Sequence, residues 1–90
     1  MITHAAIVFH TGDHEENPMI ITGRSYQECY DAAEKLGVVY NKEKVVEGFL
    51  CDDYEFLDKY TAKPVAIVSG QLKRDIESRD ITPEDIKFSR

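Results

Sequence analysis

Between Gly48 and Leu72 an aromatic run, a pair of aspartates, a second apolar run and a helix-prone stretch succeed one another within about 25 residues. Gly48-Phe49-Leu50-Cys51 reaches Asp52-Asp53-Tyr54-Glu55 and resumes as Phe56-Leu57-Asp58. Asx side chains favour turns and β-prone residues flank them, so this order predicts a hairpin. A helix must follow, and Pro64 limits where it starts. A cap at Asp58 would bury Pro64 inside the helix, where its ring clashes and a backbone bond is lost. A cap at Thr61 instead puts Pro64 at the third helical position, whose N–H has no intrahelical partner. On that reading Val65, Val68 and Leu72 form the buried edge, and the helix closes near Gly70.

The rest of the chain supplies partners for this hairpin. Ala5-Ala6-Ile7-Val8-Phe9 reads as a buried strand, and Met19-Ile20-Ile21-Thr22 returns after a polar stretch, Thr11 to Pro18, that reads as a hairpin tip. Ser25-Tyr26-Gln27-Glu28 has the form of a capping box and opens a helix that should stop at Gly37. Tyr26, Cys29, Tyr30, Ala33 and Leu36 recur at helical spacing and give that helix one apolar face. Val38-Val39-Tyr40 fits either a short strand or a packed connection. Asn41 to Lys44 is a charged loop before Val45-Val46-Glu47-Gly48. Asp75 to Asp80 either extends the second helix or forms a loop. Thr82-Pro83-Glu84-Asp85 opens a short C-terminal helix, with Thr capping, Pro first and acids in the first turn. The expected fold is a single α+β domain over residues 1–90. It is an antiparallel sheet of four or five strands with two main helices packed on one face and a short C-terminal helix.

Five boxes along the chain resemble a pattern shared by phage and bacterial proteins. That pattern runs Gly-Phe-(Ile/Leu)-Thr-Ser-Asp-x-Arg-Phe-Val-Asp-Arg, then a helix ending Ala-Gly-Gln-Ile, then Tyr-Ser-Glu-Asp-Leu, with an upstream Gly-Lys-Arg-His-x-Asp-Cys. Here the boxes are Gly48-Phe49-Leu50 with Asp53, Phe56-Leu57-Asp58-Lys59, Ser69-Gly70-Gln71-Leu72, Thr82-Pro83-Glu84-Asp85-Ile86, and Gly23-Arg24-Ser25-Tyr26-Gln27-Glu28-Cys29. The best understood proteins with the pattern are phage anti-Thoeris sponges, which sequester cyclic ADP-ribose signals made by bacterial TIR immune enzymes. Among the departures from it, Ser25-Tyr26 replaces Arg-His, Glu55 replaces the Arg before Phe, and Lys59 replaces the Arg after Asp. Each swap removes or weakens a planar guanidinium suited to phosphate.

The resemblance implies a non-catalytic protein that binds a nucleotide-derived immune signal, of cyclic ADP-ribose type or a cyclic oligonucleotide, and so inhibits anti-phage defence. The alternative is an acidic module that binds and inhibits a host protein. Adenine wants an aromatic face, while phosphate wants cations or backbone donors. Phe49 is the expected stacking ring, with Phe56 and Tyr54 nearby. Arg24, Arg74 and Arg79 are the expected phosphate contacts and Asp53 the expected ribose contact. Arg24 precedes a capped helix, whose N-terminus favours anions.

Composition narrows the alternatives. The net charge of −6 opposes general binding of DNA or RNA, whose affinity comes from cationic neutralisation of phosphates. No apolar tract is long enough to span a bilayer and no leader precedes the first strand, so a cytoplasmic protein, in the host cell if phage-encoded, is expected. Cys29 and Cys51 lack Cys-x-x-Cys spacing and read as small core hydrophobes, not as nucleophiles or a redox pair. The cluster His10, Asp13, His14, Glu15 and Glu16 has donor chemistry for a divalent ion, but on a hairpin tip it reads as polar loop; no metal or cofactor is expected. A chain of 90 residues buries only about 60–65% of its unfolded surface, and its sheet has two edges, so a homodimer or larger closed oligomer is expected.

Overall fold

The computed structural model describes residues 1–10, 18–73 and 81–88. Its strands are β1 (Ile2–Phe9), β2 (Met19–Gly23), β3 (Val46–Cys51) and β4 (Phe56–Asp58), and its helices α1 (Tyr26–Lys35) and α2 (Lys59–Val68). The strands form one antiparallel sheet in the order β2-β1-β3-β4. The α+β architecture expected from the sequence is therefore the one observed.

Register sets which residues meet the helices. Ala5 pairs with Phe49 and Ile7 with Glu47, while Ile7 also pairs with Ile21 and Phe49 with Leu57. Alternation along each strand therefore puts Ile7, Phe9, Ile21, Phe49 and Leu57 on one face. On that face α1 buries Cys29 and Ala33 against Ile7, Phe9 and Ile21. Beside it α2 buries Ala62 and Ala66 against Phe49, Leu57 and Cys51, with Ile81 and Ile86 from the C-terminal segment. Both cysteines are buried and free, one in each cluster.

Local signals explain the element ends. The Ser25 hydroxyl accepts from the Glu28 N–H at 3.2 Å and starts α1. Both helices stop on a left-handed glycine, Gly37 at φ 70° and Gly70 at φ 69°. In each case two backbone N–H groups fold back on the last turn: Val38 to Ala33 and Gly37 to Glu34, then Gln71 to Ala66 and Gly70 to Ile67. This paired pattern satisfies carbonyls that a helix end otherwise leaves open.

Several expectations are corrected. α2 starts at Lys59, not after Thr61: the Asp58 carboxylate accepts from the Thr61 N–H at 2.8 Å, and Pro64 lies inside the helix. Pro64 is exposed, and its missing N–H leaves the Tyr60 carbonyl without the usual intrahelical donor. Val68, expected on the buried edge, is 88% exposed, and Leu36 of α1 is 70% exposed. α2 approaches the sheet through alanines, which rotates its larger residues Tyr60, Ile67 and Val68 outward. The Val38–Tyr40 segment is a packed connection containing an isolated bridge at Tyr40. Lys42–Lys44 is a short 3₁₀ helix capped by Asn41, and a second 3₁₀ turn at Pro83–Asp85 is the expected C-terminal element. The expected tip at Thr11–Asn17 and the charged stretch Asp75–Asp80 lie outside the described residues.

Candidate functional site

Residues of the boxes singled out in the sequence, Gly48, Gln71 and Asp85, make contacts that tie segments of the fold together. Gly48 has no room for a side chain: an added Cβ would run into the Leu57 carbonyl oxygen and stand 2.6 Å from Phe56 Cζ. The Phe56 ring thus covers the glycine on the sheet face opposite the helices, an aromatic shielding of a bare backbone site. Gln71 is 2% exposed and ties three segments together. Its side-chain oxygen accepts from the Ile2 N–H at 2.8 Å and the Ser69 hydroxyl at 2.7 Å, and its Nε2 donates to the Ile2 and Lys87 carbonyls at 2.7 and 2.9 Å. The buried Asp85 accepts from both the N–H and the hydroxyl of Thr82, each at 2.9 Å. Leu72 bridges Ile86.

Of the residues expected to bind ligand, Arg24, Phe49 and Asp53 are described. Phe49 is wholly buried, so it has no free face for a base; its ring is a core element between Tyr26 at 6.1 Å and Phe88 at 6.4 Å. Arg24 is exposed, with its guanidinium 5.9 Å above the Phe88 ring. Arg24 and Phe49 therefore belong to one row of rings, Tyr26, Phe49 and Phe88. Asp53 sits on the exposed β3–β4 turn, where its carboxylate accepts from the Glu55 N–H at 3.1 Å. Tyr54, beside it, adopts φ 65° and is exposed. Arg74 and Arg79 lie outside the described residues, as do Asp13, His14, Glu15 and Glu16. Among the described residues no three His, Cys, Asp or Glu side chains gather to hold a metal ion.

At the other end of the ring row, one ammonium and one hydroxyl converge on Glu47. This residue points to the helical side of β3, between the middle of α1 and the start of α2. Tyr30 donates its hydroxyl to Glu47 Oε2 at 2.9 Å and Lys59 donates to Glu47 Oε1 at 3.0 Å. The Lys59 ammonium also lies 5.2 Å from the centre of the Tyr26 ring, and the Tyr26 hydroxyl donates to the Gly48 carbonyl at 3.2 Å. Burial, reinforced by the Glu47 charge, raises both tyrosine pKa values well above the ordinary phenol range. For Tyr30 the hydrogen bond to Glu47 acts in the same direction. Both therefore serve as neutral hydroxyl donors at physiological pH.

Tyr30, Glu47 and Lys59 line a groove of about 510 Å3 together with Lys42, Asp58 and Tyr60. That volume lies within the range of small-molecule sites. Tyr60 is 75% exposed and offers an open ring face, and Lys42 and Lys59 balance the Glu47 and Asp58 carboxylates that share the lining. A neighbouring recess of about 450 Å3 shares Tyr30 but is lined by Asp31 and Glu34 without a cation, which disfavours phosphate. The apolar recess beside the β3–β4 turn is smaller, about 210 Å3. Neither cysteine resembles an activated nucleophile. Burial pushes the Cys29 thiol up to about 11 and raises that of Cys51 as well.

Sequence reasoning expected an aromatic face with cations but chose other residues for it. It placed Tyr30 on a packing face and weighed Lys59 only as a weakened arginine of its box. The available signal was Lys59 itself, the basic position after Asp58. No protein-family model, curated protein or solved structure matches the chain.

Proposed function

We propose that this protein binds a nucleotide-derived signal of the cyclic ADP-ribose or cyclic oligonucleotide type without altering it, and thereby blunts bacterial anti-phage defence. The observation that carries the reading is the groove, where an exposed Tyr60 ring and the Lys42 and Lys59 ammonium groups face one volume of nucleotide size. Tyr60 takes the base and the lysines meet phosphate. Binding is stoichiometric, in the cytoplasm of the host cell. Self-association through the sheet edges β2 and β4 belongs to the same proposal. No described helix is long and apolar enough to cross a membrane.

A second reading has its own support. α2 shows Tyr60, Pro64, Ile67 and Val68 to solvent at spacings of four, seven and eight residues, an apolar outer stripe suited to a protein partner.

Calorimetric titration with cyclic ADP-ribose isomers and cyclic oligonucleotides, followed by mass spectrometry of the recovered ligand, separates the readings. Binding with intact ligand, weakened about tenfold or more by Tyr60→Ala and by Lys59→Met, is the expected result. A protein that binds none of these compounds but retains a host protein through the apolar stripe of α2 favours the second reading. A hydrolysed ligand replaces both with an enzyme.

A further inference from the structure

Resting on the proposed groove, we infer that Glu47 is a built-in competitor for the ligand's phosphate and sets how much negative charge a ligand must carry to be captured. Both carboxylate oxygens are engaged, one by the Tyr30 hydroxyl at 2.9 Å and the other by the Lys59 ammonium at 3.0 Å. These are the donors a phosphate in the groove requires, a hydroxyl and an ammonium set a carboxylate's width apart. Glu47 and Lys59 are each about a third exposed, at 31% and 30%, so the pair is neither sealed in the core nor loose in solvent. A phosphate reaching Lys59 must displace a charge-assisted hydrogen bond, whereas a nucleoside that only stacks on Tyr60 displaces nothing.

The consequence is selection by charge. A ligand with a single phosphate charge exchanges one anion for another and gains little. A nucleotide with two phosphate charges also has Lys42 on the same groove for a second ion pair. Glu47 thus acts against weakly charged ligands, the repulsive half of specificity. Once displaced, its carboxylate swings toward solvent.

Titration of ADP and adenosine against the intact wild-type chain, Glu47→Gln, Glu47→Asp and the double variant Glu47→Gln/Lys59→Met tests this. Glu47→Gln keeps an acceptor for Tyr30 and loses the charge. Glu47→Asp keeps the charge and loses the reach to both donors. Glu47→Gln should bind ADP about tenfold more tightly than wild type and Glu47→Asp should gain less, with adenosine unchanged, and the gain should vanish in the double variant. ADP binding seen only in the Glu47 variants also supports the competitor role. If wild type binds ADP and neither variant improves on it, or if adenosine tightens equally, the competitor role is overturned while the groove stands. If no variant binds ADP or adenosine while thermal melts report folded protein, the groove reading falls, and this inference with it.

Discussion

Gly48 shows how a single residue is dictated by its neighbours and not by its own flexibility. Its φ is not in the left-handed region; its constraint is space, because β4 and the Phe56 ring close over it. Gly48→Ala should therefore shift the β3–β4 pairing and cost about 3 kcal/mol or more, read by chemical denaturation. Gly70→Ala meets no atom within 4 Å and carries only the cost of its left-handed φ, about 1 kcal/mol. An equal loss at the two positions would sink this account of Gly48. The glycine was visible in the sequence as part of a box. The reason for it was not, since no local rule announces that a ring from the next strand lies overhead.

At the scale of elements, α2 is the informative case. Its start is decided by Asp58, whose carboxyl is held below the usual aspartate range mainly by the hydrogen bond from the Thr61 backbone, with the Thr61 side chain adding to it. A carboxyl with a depressed pKa in the folded state adds stability that is present above its unfolded pKa and disappears as pH falls through the folded value. The cap should therefore hold at neutral pH and fade below the ordinary aspartate range. Asp58→Asn, which still offers a capping oxygen, should flatten that acid dependence and keep most of the melting temperature at pH 7. Asp58→Ala should lower the melting temperature at pH 7. Thermal melts from pH 7 down to 3 check both. The start of α1 was legible because Ser25 and its partner lie within one turn. The start of α2 was misread because the propensity cost of Pro64 was weighed without the strand that places Asp58 at the helix entrance.

Over the whole molecule, Gln71 joins what the chain order keeps apart: the first strand, the end of α2 and the C-terminal segment. Gln71→Ala would leave the Ile2 N–H and two carbonyls without these partners in a buried place, at a cost of about 3 kcal/mol. Hydrogen exchange at Ile2 and Lys87 should accelerate together; independent behaviour would mean that the three segments are not coupled. The sequence by itself determined the strand and helix order, the sheet composition, the α1 cap and both glycine stops, because these signals act between residues a few positions apart. It also carried the chemical idea of rings beside cations. Only the tertiary structure decided that Phe49 lies in the core while Tyr60 lies open, and that Tyr30, Glu47 and Lys59 meet. Burial and convergence depend on register and helix rotation, and α2 was rotated by Ala62 and Ala66, whose small side chains let the helix sit close on the sheet.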